Sequence, residues 1–117
     1  MEKDLERRTK QFSLLVIKFV SGLPRTRDAN IFGRQLLRSA TSIGANYREA
    51  NRGVSRADFA NKIGTVQKEA SETQYWIELL IESGIAANPT AKALLKEATE
   101  LLAIFTAAGR TLHRQER

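Results

Sequence analysis

Two long runs of apolar residues at helical spacing meet at a short polar break, Asn51-Arg-Gly-Val-Ser55, and that junction constrains the fold more than any other part of the chain. Before it, Ala29, Phe32, Leu36, Ala40, Ile43, Tyr47 and Ala50 recur at steps of 3 or 4, the signature of one buried helical stripe. After it, Phe59, Ile63, Val66, Ala70, Ile77 and Leu80 form a second stripe. Gly53 supplies a stop, and Ser55 with Asp58 reads as an N-cap followed by an acidic first turn. A connection this short makes the two helices antiparallel neighbours, and the small residues Ala29, Ala40 and Ala50 let a neighbouring helix come close. The hairpin needs further helices to cover its stripes.

The flanking segments supply them. Leu5, Phe12, Val16, Phe19 and Leu23 predict a helix over residues 3–22, stopped by Gly22 in a left-handed cap and by Pro24, which lacks the N–H to continue. The hairpin helices are expected over 27–52, with Thr26 as N-cap and Asp28 in the first turn, and over 56–83, ending at Gly84 with Ile85 as the apolar partner of a Schellman-type cap. Asn88-Pro89 starts a fourth helix over 89–113, whose core row is Ala91, Leu94, Ala98, Leu101, Phe105, Ala108 and Leu112, before a basic tail from Arg110 to Arg117. No window alternates β-branched and aromatic residues as a strand does. The expectation is one all-α domain, residues 1–117, folded as an antiparallel up-down-up-down four-helix bundle.

Composition narrows the chemistry. The chain has no cysteine, which excludes disulfides, thiolate metal sites and a cysteine nucleophile, and suits a cytoplasmic protein. The N-terminus mixes charges where a signal peptide would be basic then apolar, and the cluster Leu14-Leu-Val-Ile17 is too short to span a membrane. The net charge of +6 is lopsided: residues 1–56 hold 12 Lys/Arg against 5 Asp/Glu, and residues 57–117 hold 7 against 8. A basic half points to an anionic partner or to charge pairing between copies.

On the second helix, Arg34, Arg38, Arg48 and Arg52 fall opposite the core row, with Arg56 just past the turn. Guanidinium groups in a row can bracket phosphates in a salt-dependent, sequence-tolerant way; alternatively they pair with Glu69, Glu72, Glu78 or Glu82 of a neighbouring helix or subunit. Asn46, Glu49, Glu69 and Glu72 invite a carboxylate–metal reading. A di-iron bundle, however, requires Glu-x-x-His on two helices, and the single histidine is His113. The expectation is therefore no metal and no cofactor, but a structural network of Ser39, Ser42, Asn46, Glu49, Glu69 and Glu72 that fixes helix register. Ser39, Ser42 and Ser71 lack His/Asp partners, so no catalytic residue is assigned and the chain reads as a non-enzyme. Leu14 and Ile17 lie off the first helix's stripe, either widening the core face or beginning a second contact surface. Tyr75 and Leu79 point away from the third helix's stripe, and Trp76 lies off its centre, on a helix whose other side is small at Ala57, Ala60, Gly64 and Ser71. These five, Leu14, Ile17, Tyr75, Trp76 and Leu79, are the candidate oligomer interface.

The run Leu36-Leu-Arg-Ser-Ala-Thr-Ser-Ile-Gly-Ala-Asn-Tyr-Arg-Glu-Ala50, followed by Ser55-Arg-Ala-Asp-Phe59 and Lys68-Glu-Ala-Ser-Glu-Thr-Gln-Tyr-Trp-Ile-Glu-Leu-Leu80, resembles the four-helix-bundle family of 23S rRNA-intervening sequence proteins, which includes the accessory variability protein of diversity-generating retroelements. The family's recurring element maps onto Arg38, Ser39, Ser42, Ile43, Asn46, Tyr47, Glu49 and Ala50, with Tyr47 where Ile is common and Ala50 where Gly is common; its third-helix glutamates fall on Glu69 and Glu72. The resemblance implies a bacterial homo-oligomer, commonly a pentameric ring, without enzymatic activity. In the retroelement branch it further implies a basic surface that binds nucleic acid, RNA or single-stranded DNA, and a reverse transcriptase as partner.

Overall fold

Capping side chains fix where the last three of the four helices start in the computed structural model, which describes residues 4–115. Four helices follow one another: α1 (Leu5–Ser21), α2 (Arg27–Asn51), α3 (Arg56–Glu82) and α4 (Pro89–Gln115), with no strand among the described residues. Thr26 Oγ1 accepts the Ala29 N–H at 3.2 Å, Ser55 Oγ accepts the Asp58 N–H at 3.1 Å, and Asn88 Oδ1 accepts the Ala91 N–H at 2.9 Å. Each satisfies a donor that the first helical turn leaves without an internal partner. The expected start of the first helix at residue 3 and the end of the basic tail, residues 116–117, lie outside the described residues.

The helix ends differ from one another. Gly22 was expected to adopt a left-handed cap, but its φ of −93° and ψ of 0° are right-handed, so its special freedom is not used there. Pro24 supplies the stop: it offers no N–H, and the preceding Leu23 already lies outside the helix, its N–H reaching back to the Val20 carbonyl at 3.1 Å. Gly84 alone among the described residues has positive φ, +81°. Its N–H bonds to the Ile81 carbonyl at 3.1 Å, but the carbonyl of Leu80 is taken by Ala86, at 2.9 Å, one residue later than in the simple Schellman pattern. Ile85 still packs half-buried against the core.

The core follows the four expected rows. Leu5, Phe12, Val16, Leu36, Ala40, Ile43, Ile63, Val66, Ala70, Ile77, Leu80, Ala98, Leu101 and Phe105 are essentially inaccessible to solvent. Tyr47 packs its ring on Phe105, with centroids 5.2 Å apart. Phe32 and Phe59 are only half-buried, because they sit at seams between helices. Leu14 and Ile17 are 57 % and 47 % exposed, so they do not widen the core face of α1. Contacts join α1 to α2, α2 to α3, α3 to α4 and α1 to α4, so the four helices surround one shared core.

Two glycines of α2 are contact points. An ideal Cβ on Gly44 would lie 3.3 Å from Thr9 Oγ1 and 3.4 Å from Thr9 backbone, and one on Gly33 would lie 3.0 Å from Leu23 Cδ1. Both glycines therefore let α2 lie against α1 and the turn after it more closely than a methyl would permit. On the other flank Arg8 clamps α1 to α4: its Nε and Nη2 donate to the two oxygens of Glu97 at 2.8 and 2.7 Å, and Nη2 also donates to Glu100 at 3.1 Å. These hydrogen bonds, outweighing the opposing effect of burial, hold the Glu97 carboxyl below its ordinary range.

Candidate nucleic-acid interface

The outer face of α2 exists because its inner face is committed. With Ala29, Leu36, Ala40, Ile43, Tyr47 and Ala50 turned into the core, positions 34, 38, 48 and 52 face outward, and all four arginines are exposed. Arg56, in the first turn of α3, is exposed as well. The arginines are not equivalent. Arg34 makes no ion pair with any described residue. Arg38 is tied down: its guanidinium meets Glu72 through Nη2 and lies 3.5 Å from Glu69 through Nη1, both on α3. Arg48 and Arg52 share one acceptor, Glu6 of α1, whose Oε1 is 3.7 Å from Arg48 Nε and 3.7 Å from Arg52 Nη1. Those distances are electrostatic contacts, too long for hydrogen bonds.

The residues expected to form one polar network separate into four groups. Ser39 is fully buried, where Thr73 Oγ1 donates to its Oγ at 2.9 Å and Ser39 donates to the Leu36 carbonyl at 3.3 Å. Glu69 and Glu72 lie at the α2–α3 seam with Arg38, and Glu72 Oε1 also accepts the Trp76 indole N–H at 3.2 Å. Glu49 is exposed and pairs with Lys62 at 2.7 Å. Ser42 and Asn46 bond locally, to the carbonyls of Arg38 at 2.8 Å and Ser42 at 2.9 Å. Among the described residues no group of three or more His, Asp or Glu side chains stands where it could hold a metal ion.

The candidate interface residues also divide. Tyr75 is 55 % exposed and, like Leu14 and Ile17, projects from the monomer. Trp76 and Leu79 are half-buried; Trp76 stacks on Phe32 with centroids 6.2 Å apart and meets the edge of Tyr75 at 5.1 Å, so it belongs first to its own chain's α2–α3 seam. Sequence reasoning missed Leu15, Ile31 and Val54, which are 55 %, 48 % and 96 % exposed, and missed Glu6, the acid that faces the arginine row. A short helical period carries no information about pairing between positions 6 and 48, so only the folded chain could reveal it. No helix among the described residues is long and apolar enough to cross a membrane.

Four helices around one core, with a basic outer face, define this chain as a small helical-bundle protein. It belongs to the family of 23S rRNA-intervening sequence proteins, whose sequence profile matches residues 2–107. It is similar to the crystal structure of a protein of unknown function from the S23 ribosomal protein family of Bacteroides thetaiotaomicron, with 34 % identity, a TM-score of 0.82, and coverage of 89 % of this chain and 96 % of that one. No curated protein matches.

Proposed function

We propose that this protein is a non-enzymatic, homo-oligomeric accessory factor that binds RNA or single-stranded DNA through the arginine face of α2. The observation that carries the reading is the state of that face among the described residues: Arg34 is exposed without an ion pair, and Arg48 and Arg52 meet no described carboxylate closer than 3.7 Å. Their donors are available to phosphate oxygens, which accept from guanidinium in paired, charge-assisted bonds. The family's description as 23S rRNA-intervening sequence proteins favours RNA as the first ligand to test. A reverse transcriptase is the partner if the chain serves a retroelement. The up-down-up-down order of helices belongs to the same reading, supported by Lys62–Glu49 at one end of the α2–α3 seam and Thr73–Ser39 farther along it.

A second reading is a structural or adaptor oligomer that recognises another protein, with the arginines in intersubunit ion pairs. The exposure of Leu14, Ile17 and Tyr75 supports self-assembly, for which a pentamer is the proposed state, in a cytoplasmic setting. One experiment separates the two readings. Under the first, a labelled RNA or single-stranded DNA oligonucleotide binds at low salt, and replacing Arg34, Arg38, Arg48 and Arg52 together by Ser abolishes binding. Absence of binding, or indifference to those replacements, leaves only the second. Light scattering after size exclusion tests assembly, and a monomer at micromolar concentration contradicts both.

A further inference from the structure

We infer that Glu6 occupies a phosphate seat in the seam between α1 and α2, and that a backbone phosphate of a single-stranded nucleic acid displaces it on binding. The inference rests on the nucleic-acid reading of the arginine face and names where one phosphate sits. A cleft of about 350 Å³ opens at this seam, kept low by Gly44 and Ala45 and walled by Lys10 and Arg48, with Glu6 at its edge. Three donors converge on the Glu6 carboxylate. Arg48 Nε and Arg52 Nη1 lie equally far, 3.7 Å, from Oε1, while Asn51 Nδ2 donates to Oε2 at 2.9 Å. Two guanidinium groups and an amide directed at one carboxylate make an anion site whose present occupant is part of the chain.

The occupant fits loosely. Neither arginine hydrogen-bonds to Glu6 at these distances, and Lys10, exposed in the wall of the cleft, has no ion pair among the described residues. A phosphodiester is larger than a carboxylate, and one seated in place of Glu6 would face the guanidinium groups of Arg48 and Arg52, with Lys10 in the lining of the cleft beside it. Glu6 sits in the first turn of α1 with its side chain 38 % exposed, so a rotamer change swings it into solvent without moving the helix. Glu49, the other acid at the cleft, is already paired with Lys62 at 2.7 Å and does not compete. The carboxylate thus acts as an internal competitor that sets how tightly the face holds an anionic strand.

The test is fluorescence anisotropy with a labelled single-stranded RNA oligonucleotide of mixed sequence at fixed low salt, on the full chain. Glu6→Gln keeps an acceptor for Asn51 but removes the charge; it should tighten binding about three- to tenfold and steepen the logarithmic salt dependence by about one. Lys10→Gln, an exposed change with no ion pair to lose, should weaken binding by a similar factor. Unchanged or weaker binding in Glu6→Gln overturns the displacement, and unchanged binding in Lys10→Gln overturns the cleft as the seat. If the wild type binds and loses affinity on Arg34→Ser but ignores both cleft changes, this inference alone fails. If the wild type does not bind at all, the nucleic-acid reading fails with it.

Discussion

Thr73 of α3 donates its hydroxyl to Ser39 of α2 across 2.9 Å, and both residues are fully buried in a mostly apolar core. Each also has a backbone carbonyl within reach, Glu69 at 2.7 Å for Thr73 and Leu36 at 3.3 Å for Ser39. Neither hydroxyl is therefore stranded when the other is removed, and the pair's worth lies in fixing the register of α2 against α3. Thr73→Val keeps the shape and should cost about 1 kcal/mol, as should Ser39→Ala. A double-mutant cycle in urea should give a coupling of roughly 0.5–1 kcal/mol; strictly additive costs would mean that the two hydroxyls act independently.

The same substitution should have opposite signs at two glycines of the helices. Gly64, exposed on α3, has nothing within 4 Å of where a Cβ would stand, so Gly64→Ala removes an entropic cost without a clash and should stabilise the monomer by about 0.5–1 kcal/mol. Gly44→Ala sets a methyl 3.3 Å from Thr9 Oγ1 and 3.4 Å from Thr9 backbone, against a residue that is itself fully buried. It should destabilise by about 1 kcal/mol or more despite the better helix propensity. Thermal unfolding of the two variants side by side checks both signs.

Much of this architecture was legible in the residues. The α2 row from Ala29 to Ala50 is buried except for the half-buried Phe32, and Thr26, Ser55 and Asn88 cap where their positions require. What escaped is what periodicity does not encode. Thr9 and Thr73 complete the buried stripes of α1 and α3, yet as polar residues they fall outside the apolar rows from which those stripes were expected. Gly33 and Gly44 belong to no apolar row, and their tight contacts with Leu23 and Thr9 appear only in the folded chain. The arginine row was visible as a row, but its division into one unpaired, one tied and two loosely held members depends on Glu6, Glu69 and Glu72, which come from other helices.

The clamp of Arg8 on Glu97 should make stability depend on acidity in one direction. The folded-state pKa of Glu97 lies below its unfolded value, chiefly through the hydrogen bonds from Arg8. As pH falls, the unfolded chain takes up that proton first, so the stabilisation is present above the carboxylate range and is lost on descending through it. Both side chains are about a quarter exposed, 27 % and 26 %, and the pair is bidentate, so Arg8→Ala should cost about 1–2 kcal/mol at neutral pH. It should also flatten the acid limb of a plot of unfolding free energy against pH, measured by urea titration from neutral to acid.

Arg34 and Arg38 lie one turn apart on the same face, yet the two should fail in different assays. Arg34 has no ion pair to lose, so Arg34→Ser should leave the melting temperature nearly unchanged, as exposed substitutions do, within ~0.5 kcal/mol. Its whole charge is available to a ligand, and affinity for single-stranded RNA should drop several-fold. Arg38 is held by Glu72 and Glu69, and Glu72 in turn receives the indole N–H of Trp76 at 3.2 Å. Arg38→Ser removes the cation between two seam carboxylates and leaves their like charges facing one another, so it should cost stability first, by about 1 kcal/mol. Its effect on RNA affinity should be the smaller of the two, because binding through Arg38 would first have to separate it from Glu72. Equal losses of affinity in the two variants would show that the contacts with Glu69 and Glu72 do not withhold Arg38 from the ligand.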